Sequence, residues 1–176
     1  MKFGSRIRHL RFSCKTLAVI VRQQNYIMSN IEDKLSRLGL KLNPPKEPVG
    51  QYLDCKQIGE LLFVSGRVSE LIGEVGADVT ANEAKEAARD TVLLILSILK
   101  KNLIDLDTII GVVKLQGFIR SNIQFTKQPQ VLDGASELLI ELFGENGRHA
   151  RTATGVSQLP FGAVIQLDLI LILKRE

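Results

Sequence analysis

The sequence predicts an α+β domain in which a mixed β-sheet carries its helices on one face. Segments with strand and helix patterns follow one another in the order β-β-α-β-α-β-β, which combines hairpins with crossover connections. Two long helices are too few to cover both faces of about five strands. We therefore expect the uncovered sheet face to bind another copy of the chain, because large exposed apolar patches are rare on monomers.

The first half of the body begins with a hairpin and continues with the clearest helix. The hairpin consists of strands 51–56 and 60–65 and the turn Ile58-Gly59. The helix starts at Thr80, which forms a capping box with Glu83, and it runs to about residue 102. The apolar stripe that predicts its buried face consists of Ala84, Ala87, Ala88, Val92, Ile95, Leu96 and Leu99.

The second half contains three further strands and one further helix. The strands are residues 106–115, 150–156 and 163–173, and the helix covers about residues 131–143. Pro129 precedes this helix and Gly144 ends it. The last strand is almost entirely aliphatic, so we expect both of its faces to be covered, by helices on one side and by another subunit on the other.

The composition excludes several kinds of site. The chain has two Cys and two His in 176 residues, too few for a disulfide scaffold or a dedicated metal enzyme. It has no Trp and 5% aromatic residues, which is poor for stacking on single-stranded nucleic acid. The sequence also contains no Gly-x-Ser-x-Gly elbow, phosphate-binding loop or dinucleotide fingerprint.

The positive charge is concentrated at the N terminus. Residues 1–27 contain six of the 23 Lys and Arg residues and no Asp or Glu, whereas residues 28–176 contain 17 basic and 19 acidic residues. The net charge of +4 therefore reflects a basic arm rather than the body. A body with a net charge of −2 has no electrostatic reason to bind a nucleic-acid backbone.

The basic arm, residues 1–27, has two interpretations. Its composition is that of an organelle transit peptide, which would direct the protein to mitochondria. We favour a translation start at Met28, with an arm that is not native and a cytoplasmic protein. Residues 28–45 then form a short amphipathic helix, capped by Ser29, and a proline-rich linker, and residues 46–176 form the domain. The apolar stretch of the arm is far shorter than the ~20 residues that span a bilayer, so we expect no membrane partner.

Polar side chains on apolar strands are the candidate functional residues. Arg151 begins a strand on which Ala153 and Gly155 share its face and leave room above them. Gln166 and Asp168 share one face of the last strand among aliphatic neighbours. A planar guanidinium can donate to both oxygens of a carboxylate, which makes Arg151 a candidate carboxylate-binding residue.

Three segments of the body carry motifs in a fixed order. They are GQYLDCKQIGELLFVSGRV at residues 50–68, QPQVLDGASELLIELFGENGRHAR at 128–151 and RTATGVSQLPFGAVIQLDLIL at 151–171. The first contains a Gly-x-Tyr strand and a Ser-Gly strand end, and the last contains Arg-x-x-x-x-Val-x-x-Leu-Pro. Together they resemble the RidA/YjgF family of enamine/imine deaminases (endoribonuclease L-PSP-like proteins), in its longer-looped branch, over residues 46–176.

The resemblance implies a fold and an activity. The fold is chorismate-mutase-like, a mixed sheet with two helices packed on one face, assembled as a homotrimer with ligand clefts between subunits. The activity is that of a 2-iminobutanoate/2-iminopropanoate deaminase. Such enzymes hydrolyse reactive 2-imino and enamino acids such as 2-aminoacrylate, which pyridoxal-phosphate dehydratases release, to 2-keto acids and ammonia. No cofactor and no metal are implied, and the substrate is a small carboxylate.

The resemblance also implies roles for individual residues. Arg151 would hold the substrate carboxylate and Tyr52 would line the cleft. The strand end Ser65-Gly66 would offer polar contacts, and Ala153, which replaces a Cys of the family, would keep the cleft open. Gln166 falls where the family has an acidic residue that orders the attacking water. Its amide can orient water but cannot accept a proton, so Gln166 is a weak catalytic substitute.

Two other functions remain open at the level of the sequence. One is a binding protein that takes up small keto or amino acids in the same cleft without converting them. The other is an RNA-directed role, as a ribonuclease or a translation inhibitor, which are names often attached to the family. The net charge of the body argues against nucleic acid as the partner.

Each candidate residue also has a structural interpretation, in which it binds no ligand. Arg151 would then form an ion pair with an acidic side chain, and Tyr52 would be a half-buried packing residue. Gln166 and Asp168 would fill a polar strip at a subunit interface. The candidate acids for Arg151 are Glu137, Glu141 and Asp168.

We do not expect His149 or Cys55 to react. A His has an ordinary pKa of ~6.5 and invites a catalytic role. We expect no Ser or Cys nucleophile beside His149, however, and therefore assign it to the surface or to an interface. Cys55 is expected to be a small core residue, because no cationic group is clearly placed to lower its pKa.

Overall fold

Three α-helices and five strands lie within residues 31–45, 47 and 49–175, which a computed structural model of the chain describes. The predictions about the basic arm, Met28 and Ser29 lie outside these residues. The elements are α1 (Ile31–Arg37), β1 (Cys55–Ile58), β2 (Leu61–Val68), α2 (Ala81–Leu103), β3 (Ile109–Arg120), α3 (Gln128–Phe143), β4 (Ala150–Val156) and β5 (Ile165–Leu173).

The strands form one mixed sheet in the order β1-β2-β5-β3-β4. Strands β3 and β4 are parallel, and the other neighbouring pairs are antiparallel. Strand β5 is therefore central although it is the last in the chain. The predicted α+β class with a mixed sheet is confirmed.

Several element boundaries differ from the prediction. Strand β1 begins at Cys55 instead of residue 51, so Tyr52 lies in the irregular segment before it. Strand β2 continues to Val68, because a bulge between Val64 and Arg67 lets it keep pairing with β5. Strand β3 begins at Ile109, since the preceding residues form a short 3₁₀ turn, and it continues well past the predicted end.

The structure confirms the predicted capping box of α2 and the predicted glycine at the end of α3. In α2 the backbone N–H of Glu83 donates to Thr80 Oγ1 (3.2 Å) and that of Thr80 donates to Glu83 Oε2 (2.8 Å), which completes the capping box. Helix α3 begins at Gln128, earlier than predicted, so that Pro129 lies in its first turn instead of preceding it, and it ends at Gly144, whose φ of +63° suits glycine. Both helices contribute their buried faces to one hydrophobic cluster on the sheet.

The two faces of the sheet differ along β5. Alternate residues from Ile165 to Leu173 are buried beneath the helices, whereas those between them, which include Gln166 and Asp168, are half-buried. On this second face Leu61 and Phe63 of β2, opposite residues 172 and 170 of β5, are 37% and 40% exposed. The helices thus cover one face, and cover of the other face by a second copy stays a prediction.

Helices α2 and α3 approach closely at Gly134. This residue is buried, and a Cβ atom built on it would overlap the backbone carbonyl of Lys85 on α2. The contact therefore requires glycine for lack of space, not for its conformational freedom. Helix α1 packs onto the other end of α3, where Lys34 Nζ donates to the carbonyl oxygen of Leu142 (2.6 Å).

Candidate functional site

Arg151 lies on the edge strand β4 with its side chain on the helical side of the sheet. Its partner on β3, Leu115, is fully buried on that side. Arg151 Nη1 donates to Asp133 Oδ1 (2.7 Å) and to Ser136 Oγ (3.1 Å). Its Nε and Nη2 groups bond to none of the described residues. One edge of the guanidinium is therefore available to a planar carboxylate.

The ion pair of Arg151 is with Asp133, not with any of the three acids that the sequence suggested. Asp133 and Ser136 are three residues apart on α3, so both project toward β4. The acids that we considered lie elsewhere: Glu137 pairs with Lys85, Glu141 pairs with Arg89, and Asp168 is on the other sheet face. Arg151 thus forms a structural ion pair, and its Nε and Nη2 groups have no partner among the described residues.

A hydroxyl group lies beside His149, so the prediction that no nucleophile accompanies this residue was wrong. Ser136 Oγ is 3.1 Å from His149 Nε2, and His149 Nδ1 is 2.6 Å from the carbonyl oxygen of Gly147. A carbonyl oxygen only accepts, so Nδ1 carries the hydrogen and Nε2 accepts from the Ser136 hydroxyl when the ring is neutral. His149 directly precedes β4, and its i, i+2 spacing from Arg151 favoured the same side of the chain for both, which was the missed signal.

The environment of His149 favours the neutral imidazole. Burial lowers the pKa of His149, the hydrogen bond from the ring to Gly147 opposes this, and the Arg151 charge lowers the pKa further. The ring is therefore mostly unprotonated at neutral pH, with Nε2 able to accept a proton.

A second group of candidate residues lines a cavity toward the opposite edge of the sheet from β4, where β2 lies beside α2. Tyr52, Gly66 and Gln166 line this space of about 390 Å³ together with Arg67 and Phe161. The Arg67 guanidinium carbon lies 5.9 Å from the centroid of the Tyr52 ring, and Tyr52 is 44% exposed. Sequence reasoning missed Arg67, which the strand bulge turns into this cavity. It pairs with Asp54, and its buried Nε has no partner among the described residues.

The strand end Ser65-Gly66 approaches the side chains of β5. A Cβ on Gly66 would lie 2.7 Å from Asp168 Oδ1 and 2.8 Å from Gln166 Nε2, so these two side-chain ends would have to shift to admit a larger residue. Gln166 Nε2 is 3.5 Å from Asp168 Oδ1. Ser65 Oγ donates to the carbonyl oxygen of Leu53 (2.6 Å), so its proton is already used.

The structure does not bring all six candidate residues together within one chain. Tyr52, Gly66 and Gln166 share the cavity, with Ser65 beside it on β2. Arg151 and Ala153 lie on β4, at the far edge of the sheet, and β3 separates this strand from β5. Ala153 is half-buried opposite Gly117 on the helical side. A single site containing both groups needs two chains.

The comparison with known proteins decides the family. A sequence model described as "YjgF/chorismate mutase-like, putative endoribonuclease" matches residues 32–173. The chain belongs to the YjgF/RidA family. This confirms the family that the three sequence motifs resemble, and with it the chorismate-mutase-like fold.

Individual proteins are similar to this chain over most of its length. Protein TCP17 of Trypanosoma cruzi is 41% identical over 148 residues, which cover 80% of this chain and 92% of that protein. The crystal structure of Atu1372, a protein of unknown function from Agrobacterium tumefaciens, has 36% identity and a TM-score of 0.76, and the match covers 86% and 98% of the two chains. A structure from Shewanella oneidensis named "putative endoribonuclease" has 30% identity and a TM-score of 0.79, covering 82% and 100%.

None of the helices that the structure describes could span a membrane.

Cys55 is half-buried against the core, and burial and the Asp54 charge raise its pKa, although the Arg67 charge opposes them. A raised pKa disfavours the reactive thiolate, which agrees with a packing role.

Replacing Asp168 with Asn is expected to stabilise the YjgF/RidA fold at pH 7. Burial raises the pKa of the Asp168 carboxyl, and the Gln166 hydrogen bond offsets only part of this. A raised folded-state pKa means that the wild type loses stability as the pH rises through it. The advantage of the variant in urea unfolding should therefore shrink from pH 7 toward the ordinary Asp pKa of ~3.9. If the variant's advantage in free energy of unfolding stayed equal across this pH range, the pKa of Asp168 would not be raised by folding.

Proposed function

We propose that this YjgF/RidA protein hydrolyses 2-imino and enamino acids such as 2-aminoacrylate to 2-keto acids and ammonia. The observation that carries the proposal is the state of Arg151, which is three-quarters buried and keeps its Nε and Nη2 donors free of described partners. Two parallel N–H donors match the two oxygens of a substrate carboxylate. The 2-imino acids and 2-keto acids share this carboxylate, so both fit the same donors.

The proposed active assembly is a homotrimer with clefts between subunits. Two observations support it. The cavity residues and Arg151 lie apart in one chain, so that a complete site needs Arg151 of one subunit near Tyr52, Gly66 and Gln166 of the next. The sheet face opposite the helices exposes apolar side chains, including Phe63, which a second copy would bury.

The proposed reaction requires little from the protein. The imine carbon is already electrophilic, so positioning the substrate and a water molecule supplies much of the acceleration. Arg151 holds the carboxylate, and the amide of Gln166 orients the water. Attack on the imine carbon gives a carbinolamine, which collapses to the keto acid and ammonia.

The second candidate function is binding of small keto or amino acids without turnover. It is favoured by Gln166, whose amide cannot accept a proton from water. The name endoribonuclease belongs to the family model and to the Shewanella oneidensis relative. We give RNA a lower rank, because residues 28–176 carry more acidic than basic side chains.

The test is turnover of an imine made in situ. A pyridoxal-phosphate dehydratase generates 2-aminoacrylate or 2-aminocrotonate, and release of the keto acid is followed with and without the protein. We expect acceleration above the spontaneous rate. Uptake of 2-oxobutanoate without acceleration would favour the binding protein instead. RNA binding that weakens steeply with salt would favour the RNA-directed role.

The proposed location is the cytoplasm, with Met28 as the first residue. Mass spectrometry of the N terminus of the native protein tests this. A mature chain that is produced by cleavage within residues 1–27 would favour the mitochondrion.

A further inference from the structure

We propose that the cavity around Tyr52 and Arg67 binds an uncharged aromatic molecule that carries a carbonyl group. The inference goes beyond the proposed function, because it uses neither Arg151 nor the imine. It assigns a ligand to Arg67, which holds an unused donor, a balanced charge and a place among apolar walls.

The side chain of Arg67 keeps a donor that the protein does not use. Arg67 is 7% exposed and lines the cavity. Its Nη2 donates to Asp54, whereas its buried Nε has no partner among the described residues. A buried N–H without an acceptor is unfavourable, and most such groups in folded proteins are paired. A ligand oxygen that accepts from Arg67 would remove this cost.

The charge of Arg67 is already balanced, which favours an uncharged acceptor. Asp54 pairs with Arg67, and the two side chains are 9% and 8% exposed. Among the described residues that line the cavity, Arg67 is the single base, whereas Glu47 and Glu70 are acids. An anion would therefore be desolvated near carboxylates without meeting an uncompensated positive charge. A carbonyl oxygen can accept from the guanidinium without bringing a charge into the cavity.

The walls of the cavity suit a flat apolar body. They include Leu94 and Ile98 of α2 and the rings of Tyr52 and Phe161. The guanidinium carbon of Arg67 lies 5.9 Å from the centroid of the Tyr52 ring. The volume of about 390 Å³ is within the range of pockets that bind small molecules. An aromatic ring can pack against such aliphatic and aromatic side chains, so we assign an aromatic body to the ligand.

Large apolar side chains are exposed around the same cavity. Val49, Ile72 and Phe161 line it, and they are 76%, 65% and 72% exposed. Phe161 also has a φ of +60°, in the left-handed region that a bulky residue rarely adopts. Strained backbone of this kind clusters at ligand sites. A bound aromatic ring would cover these side chains.

Three small aromatic ligands test the proposal on the wild-type chain. Benzamide has a ring and a carbonyl acceptor, toluene lacks the acceptor, and benzoate adds a negative charge. We expect benzamide to bind about tenfold more tightly than the other two, because a hydrogen bond from a charged donor contributes at least that much. NMR titration gives the three Kd values. It also follows the Nε–H signal of Arg67, which should move downfield with benzamide as its proton gains an acceptor.

The same titration can contradict the proposal in three ways. Equal affinities for benzamide and toluene would mean that Arg67 donates nothing to the ligand. Tightest binding of benzoate would mean that the cavity prefers an anion. An Nε–H signal of Arg67 that ignores saturating benzamide would place the ligand elsewhere. Each of these results would overturn the assignment.

Arg67→Lys removes the planar donor group but keeps a positive charge opposite Asp54. We expect this variant to lose the preference for benzamide and to bind toluene within about twofold of the wild type, since its apolar walls are unchanged. Arg89→Lys is the matched control, because Arg89 also pairs with an acid but does not line the cavity. It should keep the preference. A preference that survives in Arg67→Lys would overturn the role of Arg67.

Phe161→Ala tests the aromatic wall without disturbing a buried ion pair. Phe161 is exposed, so the variant should fold. We expect benzamide and toluene to bind about fivefold more weakly, the loss of one aromatic contact. Ile123→Ala is the control, because Ile123 is an exposed apolar residue that does not line the cavity. Unchanged affinities in Phe161→Ala would show that the ring binds elsewhere and would overturn the proposal.

Discussion

Replacing Arg151 with alanine is expected to abolish the acceleration of imine hydrolysis and to weaken binding of 2-oxobutanoate about 100-fold or more. Hydrogen bonds to charged groups contribute about 1.5–3 kcal/mol each, and the carboxylate would lose two of them. Each ~1.4 kcal/mol corresponds to a factor of ten in affinity. Calorimetric titration and keto-acid release measure the two effects. Arg151→Lys should recover little, because a lysine keeps the charge but loses the planar pair of donors.

Arg89→Ala is a matched control for this substitution. The side chains of Arg89 and Arg151 are 26% and 27% exposed, and each pairs with an acid on α3. Removing Arg89 should cost a similar ion pair without touching the proposed ligand donors. Equal loss of turnover in both variants would show that Arg151 acts through stability of the fold. Full activity of Arg151→Ala would contradict the proposed function of this residue.

Replacing Gly134 with alanine is expected to lower the free energy of unfolding by about 3 kcal/mol, the cost of an overpacked core. In an open helix the same substitution stabilises by about 1 kcal/mol. The sign of the change in free energy of unfolding therefore shows whether α2 and α3 are in direct contact at the Lys85 carbonyl. Urea unfolding at one fixed protein concentration measures the change, since assembly would make stability concentration-dependent.

Gln130→Ala on the exposed side of α3 is the control for Gly134→Ala. It should change the free energy of unfolding by less than about 0.5 kcal/mol. A Gly134→Ala protein as stable as the wild type would mean that the helices are further apart at this point.

The fold was largely predictable because its signals are local. The capping box of Thr80 sets the start of α2, Gly144 sets the end of α3, and the bounds of β4 agree with the prediction. The start of β1 and the extension of β2 were not predictable, because they depend on pairing with distant strands and on a bulge. Sequence periodicity does not report such pairing.

The candidate site was predictable only residue by residue. The motif identified Arg151, and strand alternation placed Gln166 and Asp168 on one face. The contact of Ser136 with His149 was missed, because it joins a helix to the residue before a strand and depends on the rotation of α3 above β4. That rotation follows from packing of the core, which no local pattern encodes.

Gly66 couples evolutionary change at the cavity to two neighbouring side chains on β5. A side chain at this position would displace the ends of the Gln166 and Asp168 side chains, so its effect depends on what stands at those two positions. An acid at position 166, as the family motif has, would bring a second negative charge to Asp168. Positions 66, 166 and 168 thus form an epistatic set in which the effect of one mutation depends on the other two. Directed evolution at this cavity should therefore vary these three positions together.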